Sequence, residues 1–586
     1  MSLKEIFRAE LDFLKKDGKY FSKIHPHLSR FLSDEIIDPE AERIIESFAF
    51  LTARLKEKIQ DSFPELTQSM IQLLWPNYLR PLPSSAVLRF NPKERAITTK
   101  HVIPKGTFVS SRPVDGTACR FQTTMDVAVY PIVLNSVESN VTSRSSLIEL
   151  QLENISETDF ASLQCNELSF YLSGSDYNAL TCYQWLFNYL DKISVKAGNK
   201  EIILPLNCIQ SQGLESEDDL LPYPKNTFEG YRLIQEFFFF PKKFYFFKLK
   251  NLNRYLDNIS ESELKLLFRF SRPLPKDLTL GKTDFTLYCS PIINLFSHDA
   301  IPINLDGKRM HYPVIPSGVN RSHFEIFDIN HVTGTKSGKH AGQESRLYEY
   351  VRFESFSHDV IDTQEPVFYK ASLKENLEED GYDHYISFVS RGDEIQKKER
   401  ETISLNLICT NKNLPEYLGI GDICIPSQDT PSYITFENIT RPCETIRPSL
   451  SGTLQWQLIS NLSLNYVSLS NLDILKEVLL AYDFNAIYDL QSERRTKKRL
   501  DAIRKIETCP VDRIIKGVIY RGLRSTLEID GDKFLCEGEV FLFSTILAEF
   551  FRLYGTINSF HELIVTNSSN NEIFKWDRKV ALQQIV

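Results

Sequence analysis

Apolar residues recur at helical spacing through the first part of the chain and predict three helices. The first is indicated by apolar residues at positions 3, 6, 7, 11 and 14 and ends at Gly18, which suits a C-terminal cap. The second begins with Asp38 as N-cap and Pro39 in the first turn. A capping box from Ser62 to Glu65 starts the third, and prolines at 76, 81 and 83 end the helical region.

The second predicted helix has an apolar surface that is wider than a single stripe. Its main stripe is Ile44, Phe48, Leu51, Leu55 and Ile59, and Ile45, Ala49 and Phe50 lie beside it. A helix that is apolar on more than one side packs against more than one partner. We therefore predict that a set of its residues forms either core or contacts with another chain, namely Ile44, Ile45, Phe48, Leu51, Leu55 and Ile59.

From Ala86 onward the hydrophobic period changes to two, which predicts antiparallel β structure over the middle of the chain. Asp-Gly pairs at 115–116, 306–307 and 530–531 lie between such runs and suit hairpin turns. Short helices are predicted at 183–190 and 260–268, and longer ones at 472–482 and 544–554, with a strand at 525–529. The expected fold class is α+β.

The same pattern suggests four parts of the chain. Residues 1–83 form an N-terminal helical module, 84–300 and 301–455 form two β-rich domains, and 456–586 form a mixed domain of helices and strands. A length of 586 residues is enough for about four domains at the usual size.

One segment, GYRLIQEFFFFPKKFYFF at 230–247, concentrates aromatic residues around one proline and two lysines. A membrane-spanning helix needs about 20 nearly continuous apolar residues, and this segment is interrupted too early. We predict that it is a buried core segment, made of two strands or of a helix end and a strand.

Composition and charge exclude several functions. The net charge of −9 argues against a nucleic-acid partner, because binding phosphates requires a basic surface. The ten cysteines are scattered singly, which predicts reduced, buried thiols rather than disulfides or a zinc site. The charged, amphipathic N-terminus differs from a signal peptide, and nothing in the sequence predicts membrane insertion.

No motif satisfies the requirements of a catalytic or cofactor site. The glycines at 334 and 338 are too close together for a phosphate-binding loop, so a flexible hairpin tip is favoured. His25 and His27 lack a nearby third ligand, and the acidic run at 215–219 is typical of a solvated loop. The basic run at 494–499 indicates a solvated helix end or loop, with docking of an acidic partner as the alternative. No cofactor and no enzymatic activity are predicted.

Several segments together resemble one protein family over almost the full chain. They are DPEAERIIESFAFLTAR (38–54), LLWPNYLRPLPS (73–84), the aromatic segment at 230–247, CSPIINLF (289–296), CTNKNLP (409–415), WQLISNLSLNYVSL (456–469), RGL (521–523) and INSFHEL (557–563). In this order they are similar to motifs of the TssF family, also called ImpG or VasA, of the type VI secretion baseplate wedge. Ser317 and Asn461 depart from the family's usual Asp and His.

The resemblance implies a structural subunit with a fold related to phage baseplate wedge proteins. It implies assembly with TssG, TssK, TssE and further copies of the chain around the VgrG hub, on the cytoplasmic face of the envelope. It also implies coupling of baseplate rearrangement to sheath contraction. Two alternatives stay open at this point, a wedge protein of another contractile machine such as a phage tail and a β-rich carbohydrate-active enzyme. Gene neighbourhood distinguishes a phage-tail wedge protein from a secretion wedge protein. A pair of carboxylates about 5–10 Å apart would indicate the carbohydrate-active enzyme.

Overall fold

A computed structural model describes residues 64–580 of the chain with internal gaps, together with residues 7, 8, 11, 43 and 46–52. The gaps are 94–95, 157–158, 225–228, 258, 260, 306–308, 319, 337–345, 354–366, 377–380, 390–400, 451–454, 457, 461–469, 516–517 and 554–559. The two histidines at 25 and 27, the Asp-Gly pair at 306–307 and most of the first two predicted helices therefore lie outside the described residues.

The chain divides into two compact units, which we describe separately. The first comprises residues Met1–Gln72 and Ser449–Leu462, and the second comprises Leu73–Pro448 and Ser463–Val586. The four domains expected from the sequence stay a prediction, because a division into two compact units does not test their boundaries.

Eight helices are described in full within residues 64–580, and four of them overlap segments predicted to be helical. They are α1 (Pro64–Leu74), α2 (Asp176–Asn188), α3 (Glu229–Phe239), α4 (Asn253–Leu256), α5 (Leu472–Ala481), α6 (Asn485–Tyr488), α7 (Leu490–Asp501) and α8 (Glu537–Leu553). Helix α2 begins at an N-cap, where the Ser175 side chain accepts a hydrogen bond from the Asn178 amide. Asn471 caps α5 in the same way through the Asp473 amide.

Residues 84–300 form mainly antiparallel β structure, as predicted for the middle of the chain, and two strands from 423–438 complete one of the sheets. A six-stranded sheet contains, in spatial order, Ile423–Pro426, Phe108–Val114, Thr117–Thr123, Cys289–Ile293, Ser85–Pro92 and Ile434–Asn438. A five-stranded sheet contains Lys200–Leu204, Leu190–Ala197, Glu263–Phe270, Ser146–Asn154 and Ile132–Val141. A four-stranded sheet contains Ile209–Ser211, Phe246–Lys250, Glu167–Leu172 and Phe285–Leu287, and His101–Ile103 pairs with Val127–Val129.

Two further sheets surround a separate apolar core. One contains Phe296–Asp299, Glu401–Thr410, Glu325–Lys336 and Arg346–Glu349, with Ile303–Leu305 also paired to Glu401–Thr410. The other contains Tyr312–Pro313, Tyr382–Val389, Phe368–Glu375 and Val351–Arg352. The core includes Ile386, Ile403 and Leu407, all of them buried. This core is made from residues between 296 and 409.

The C-terminal part combines a helix with a mixed sheet of Ile503–Ile515, Val518–Ile529, Phe560–Asn567 and Glu572–Val580. Val518–Ile529 and Phe560–Asn567 run parallel, and α8 lies between them in the chain. Parallel neighbours need such a crossover connection. Gly538 lets α8 approach the α2 backbone closely, because a Cβ there would overlap the Leu180 carbonyl.

Two local predictions are wrong. Residues 260–268 were expected to be helical, but Glu263–Phe270 is a strand whose residues alternate between buried and more exposed positions. Asp530 and Gly531 were expected in a hairpin turn, but Asp530 instead caps the short 3₁₀ helix Gly531–Lys533 that precedes α8. By contrast, Asp115 and Gly116 have positive φ angles of 47° and 77° and join two paired strands, as predicted.

The aromatic segment is buried, as predicted. It forms α3 from its second residue onward, the 3₁₀ helix Pro241–Phe244 and the first two residues of the strand Phe246–Lys250. Phe247 stacks on Phe170 of the neighbouring strand, with ring centroids 5.1 Å apart. The segment thus contributes both a helix and a strand to the core.

Candidate assembly site

The helix at 46–52 exposes large apolar side chains. Phe48 is 58% exposed, Leu51 is 61% exposed and Phe50 is 45% exposed, whereas Ala49 is fully buried. The ring of Phe50 contacts Phe7 edge-on, with centroids 6.4 Å apart. Of the six predicted site residues, Ile44, Ile45, Leu55 and Ile59 lie outside the described part of the chain. The two described ones, Phe48 and Leu51, are both on the exposed surface.

Helix α1 shows the same division between a buried and an exposed apolar face. Thr67 and Ile71 are buried, and the Thr67 hydroxyl donates a 2.7 Å hydrogen bond to the Gln455 side chain of the same unit. Leu66 and Met70, one helical turn apart, are exposed. The first unit therefore presents large apolar side chains to solvent on two of its described helices.

The LLWPNYLRPLPS motif contributes two aromatic residues to a cluster within the second unit. Trp75 contacts Tyr223, Tyr231 and Tyr482 edge-on, with centroids 5.5–5.8 Å apart. Tyr78 contacts Phe484 in the same way at 5.0 Å. Aromatic pairs in these geometries stabilise by about 0.5–1.5 kcal/mol beyond the area they bury. Three distant segments of the chain therefore meet at one aromatic cluster.

Arg80 of the same motif is held by a partly buried carboxylate. Its guanidinium pairs with Asp328, and Arg352 donates to the other carboxylate oxygen of Asp328 at 2.9 Å. Burial alone would raise the pKa of Asp328, but the charges of Arg352 and Arg80 outweigh it and keep that pKa below its ordinary value. This ionised carboxylate fixes the segment after α1 to the strand Glu325–Lys336.

A second charged network lies inside the aromatic segment. The Lys243 ammonium pairs with Glu236, and neither side chain has solvent exposure. Arg232 lies 3.6 Å from Glu236 and 2.7 Å from Asp219. Glu236 also accepts a 2.9 Å hydrogen bond from the Leu220 amide. Buried charges are tolerated only when they are paired in this way.

The prediction of a solvated loop at 215–219 holds for Glu215 and Glu217, which are exposed, but not for Asp219, which pairs with the buried Arg232. Burial raises the pKa of Asp219 to about 7, with Arg232 opposing that shift and Glu236 adding to it. Gly213, at the start of this loop, has a φ of +92°, and a Cβ there would lie 2.7 Å from the Lys243 carbonyl. The loop therefore lies against the 3₁₀ helix after α3 at its start and is bound to α3 itself at its end, through Arg232 and Glu236.

Sequence reasoning missed both charged networks. For the second, a signal was present, because Arg232 and Glu236 have the i,i+4 spacing of a helical ion pair within an apolar run. For the first, no local signal exists, since Arg80 and Asp328 are 248 residues apart.

Among the described residues, the titratable side chains considered as candidates show no sign of a reactive site. Cys289 and Cys409 are buried, and burial raises the pKa of the Cys409 thiol to about 12, so it stays protonated. His311 and Glu46 are exposed. Within the described residues, no group of three or more His, Cys, Asp or Glu side chains has the geometry to hold a metal ion. Cys509 departs from the predicted burial of the cysteines, because it is exposed.

The basic run at 494–499 belongs to α7 and lies mainly on its solvent side. Arg494, Arg495 and Lys498 are exposed, while Arg499 pairs with Glu539 of α8. None of the described helices combines the length and the apolar character required to cross a bilayer.

The chain matches a family model described as "Type VI secretion system, TssF" over residues 1–583. It is 26% identical over 623 aligned residues to the type VI secretion system component TssF1 of Pseudomonas aeruginosa, covering 98% of each chain. Among solved structures, it is similar to a chain of a TssK-TssF-TssG baseplate subcomplex, with a TM-score of 0.77, 28% identity and coverage of 93% of this chain and 99% of that one. A chain of the type VI secretion baseplate complex is also similar, with a TM-score of 0.65, 25% identity and coverage of 99% and 100%.

Proposed function

The chain belongs to the TssF family of type VI secretion proteins, and from that membership we propose that it is a non-enzymatic subunit of the baseplate wedge. Its proposed partners are a TssG-like subunit and a TssK-like adaptor, the proteins named together with TssF in the similar solved subcomplex. The match to the family model covers residues 1–583, which supports a role that depends on the entire fold rather than on a single domain.

The observation that carries this proposal is the exposure of Phe48 and Leu51 on the helix at 46–52. Large apolar side chains clustered on one element mark surfaces that become buried in an assembly. Ala49 faces inward and ties the helix to its own unit, so Phe48 and Leu51 are available to a second chain. We infer that Ile44, Ile45, Leu55 and Ile59 extend the same surface.

The two charged networks and the aromatic cluster around Trp75 support a mechanical role. A wedge subunit passes a rearrangement from one end to the other, which requires segments that move together. The Arg80–Asp328–Arg352 cluster and the Trp75 cluster bind the segment after α1 to distant parts of the second unit. Packed elements with defined alternative arrangements, rather than chemistry, carry such transitions.

The proposal extends to the finer features of the family. We infer that the chain also contacts TssE, the VgrG hub and further copies of itself. We infer that it works at the cytoplasmic face of the envelope and couples baseplate rearrangement to sheath contraction. These contacts would use surfaces in addition to the helix at 46–52.

A carbohydrate-active enzyme is a weaker account of the described residues. A glycosidase needs two carboxylates that face each other across a cleft about 5–10 Å wide. The cavity between α2 and α8 contains one carboxylate, Glu549, and Arg552 holds it at 2.7 Å. A wedge protein of a phage tail would share the fold, and neighbouring genes for capsid and terminase proteins would indicate it.

Co-expression with a TssG-like subunit tests the proposal. We expect the full chain alone to self-associate on size-exclusion chromatography, and the co-expressed pair to elute as one defined complex. Phe48→Asp combined with Leu51→Asp should abolish that complex. Ile420→Asp is the matched control, because Ile420 is a similarly exposed apolar residue, at 64%, in the second unit.

A defined complex that survives the double substitution would show that this helix is not the partner surface. A monodisperse chain whose stability does not rise when the TssG-like subunit is added would overturn the assembly role itself.

Alanine variants of Glu46, Cys289, His311 and Cys409 test the absence of catalysis. If one of them builds a normal wedge but stops secretion of the tube protein, a chemical role at that residue becomes the better account.

A further inference from the structure

A cavity of about 400 Å³ lies in the second unit between α2, α8 and the C-terminal sheet. Its walls come from two distant stretches of the chain, around residues 183–214 and 541–576. One wall residue, Leu214, adjoins the second charged network, because its carbonyl accepts a 2.9 Å hydrogen bond from Arg232. Its size falls within the range of about 300–1,000 Å³ that is common for ligand pockets.

The walls of the cavity are built from ordered aromatic rings. Tyr183 and Phe187 lie one helical turn apart on α2, with centroids separated by 4.7 Å. Phe541 of α8 stacks on Trp576 at 5.3 Å with an angle of 30° between the rings. The Trp576 indole N–H donates a 3.1 Å hydrogen bond to the Thr545 hydroxyl, which fixes the orientation of the ring. The apolar surface is therefore preformed.

The positive charges that line the cavity outnumber the negative ones. Arg552 donates to Glu549 at 2.7 Å, so these two charges balance. Lys575 also lines the cavity and is exposed, on the strand that carries Trp576. Burial lowers the pKa of His561 to about 4, so this wall residue is neutral at physiological pH. The cavity thus carries a net positive charge at its exposed edge.

We propose that this cavity is an anchor site for an aromatic side chain of a partner protein, flanked in the partner's sequence by Asp or Glu that pairs with Lys575. Aromatic side chains seated in preformed pockets supply much of the binding energy of protein interfaces. The acidic neighbour follows from charge complementarity with Lys575, which orients the segment and disfavours basic ones. The inference does not depend on the helix at 46–52.

Peptide binding to the full chain tests this site directly. The probes are acetyl-Glu-Phe-Glu-amide, acetyl-Lys-Phe-Lys-amide and acetyl-Glu-Ala-Glu-amide. Binding is measured as a change in the fluorescence of Trp576, and the Trp576→Phe variant, which should not show that change, is the control. We expect the acidic aromatic peptide to bind more tightly than the other two. Ala548→Phe, which fills the cavity from α8 without adding a tryptophan, should abolish the fluorescence change.

Two further variants keep the test independent of folding. Lys575→Glu alters only an exposed side chain and should weaken binding of the acidic aromatic peptide by about two- to fivefold. Lys200→Glu, at an exposed lysine of the five-stranded sheet, should leave binding unchanged. Equal binding of the acidic and basic peptides, or binding that survives Ala548→Phe in a folded variant, would overturn the proposal. Loss of TssG-complex formation by the Phe48 and Leu51 variant, with peptide binding intact, separates this site from the proposed wedge surface.

Discussion

Lys243 and Glu236 form an ion pair in which neither side chain reaches solvent, in a segment otherwise dominated by aromatic residues. The pair joins α3 to the 3₁₀ helix that follows it, across the break at Pro241. Its placement accounts for a lysine in the middle of a buried run. The lysine is a structural residue and not a sign of a surface.

Removing one member of this pair should strongly destabilise the protein. Glu236→Gln leaves Lys243 buried without a counter-charge, and such a change typically costs about 3–5 kcal/mol. We expect a clearly lower thermal unfolding midpoint in differential scanning fluorimetry. Glu236→Leu combined with Lys243→Met should lose less stability than Glu236→Gln alone, because no unpaired ion remains at that position. A double variant that is less stable than the single one would contradict this account.

Substitutions at neighbouring positions of the helix at 46–52 should have opposite outcomes. Phe48→Asp changes an exposed side chain and should alter stability by no more than about 0.5 kcal/mol, while it abolishes binding of the TssG-like subunit. Ala49→Asp places a carboxylate at a fully buried position and should unfold the first unit locally. Hydrogen exchange of the helix distinguishes the two effects. Similar exchange in both variants would show that the helix does not pack through Ala49.

The buried imidazole of His561 should make stability depend on pH. Burial lowers its pKa to about 4 in the folded chain, and the value in an unfolded chain is about 6.5. The unfolded chain therefore takes up the proton first as the pH falls. The contribution of His561 is fully present above about pH 6.5 and is lost toward pH 4, at up to about 1.4 kcal/mol per pH unit.

His561→Gln is the control for this dependence, because it removes the titration and keeps a polar side chain near Ser525. We expect the difference in stability between the native chain and this variant to shrink as the pH falls from 6.5 to 4. Chemical denaturation at several pH values measures it. A constant difference over that range would show that His561 does not titrate differently on folding.

The cysteines should react with thiol reagents in two classes. Cys509 is exposed on the strand Ile503–Ile515, whereas Cys119, Cys165, Cys182, Cys208, Cys289 and Cys409 are buried. Burial also raises the pKa of several of these thiols, among them Cys119 to about 11, so little thiolate is present at neutral pH. Cys509→Ser should remove the fast phase of iodoacetamide labelling of the native chain. Persistence of that phase would assign it to another cysteine.

The sequence predicted those helices whose signals are local. Helical spacing of apolar residues is a property of neighbouring positions, and α1, α2, α5 and α8 overlap the segments in which it was found. The strand at Glu263–Phe270 shows the limit of this reasoning. Leu264, Leu267 and Phe268 have helical spacing, but Leu264, Leu266 and Phe268 alternate, and pairing with two neighbouring strands selects the second pattern.

The family and the α+β class could be recognised from the sequence alone, because short motifs and hydrophobic periods depend only on residue order. The partners of the charged residues could not. Arg80 pairs with Asp328 and Asp219 pairs with Arg232 only because folding brings separate elements together and excludes water from them. Likewise, the cavity lined by Tyr183 and Trp576 exists only where α2, α8 and the C-terminal sheet pack together. Residue order determined which groups are present, and tertiary packing decided which are buried together and which stay exposed.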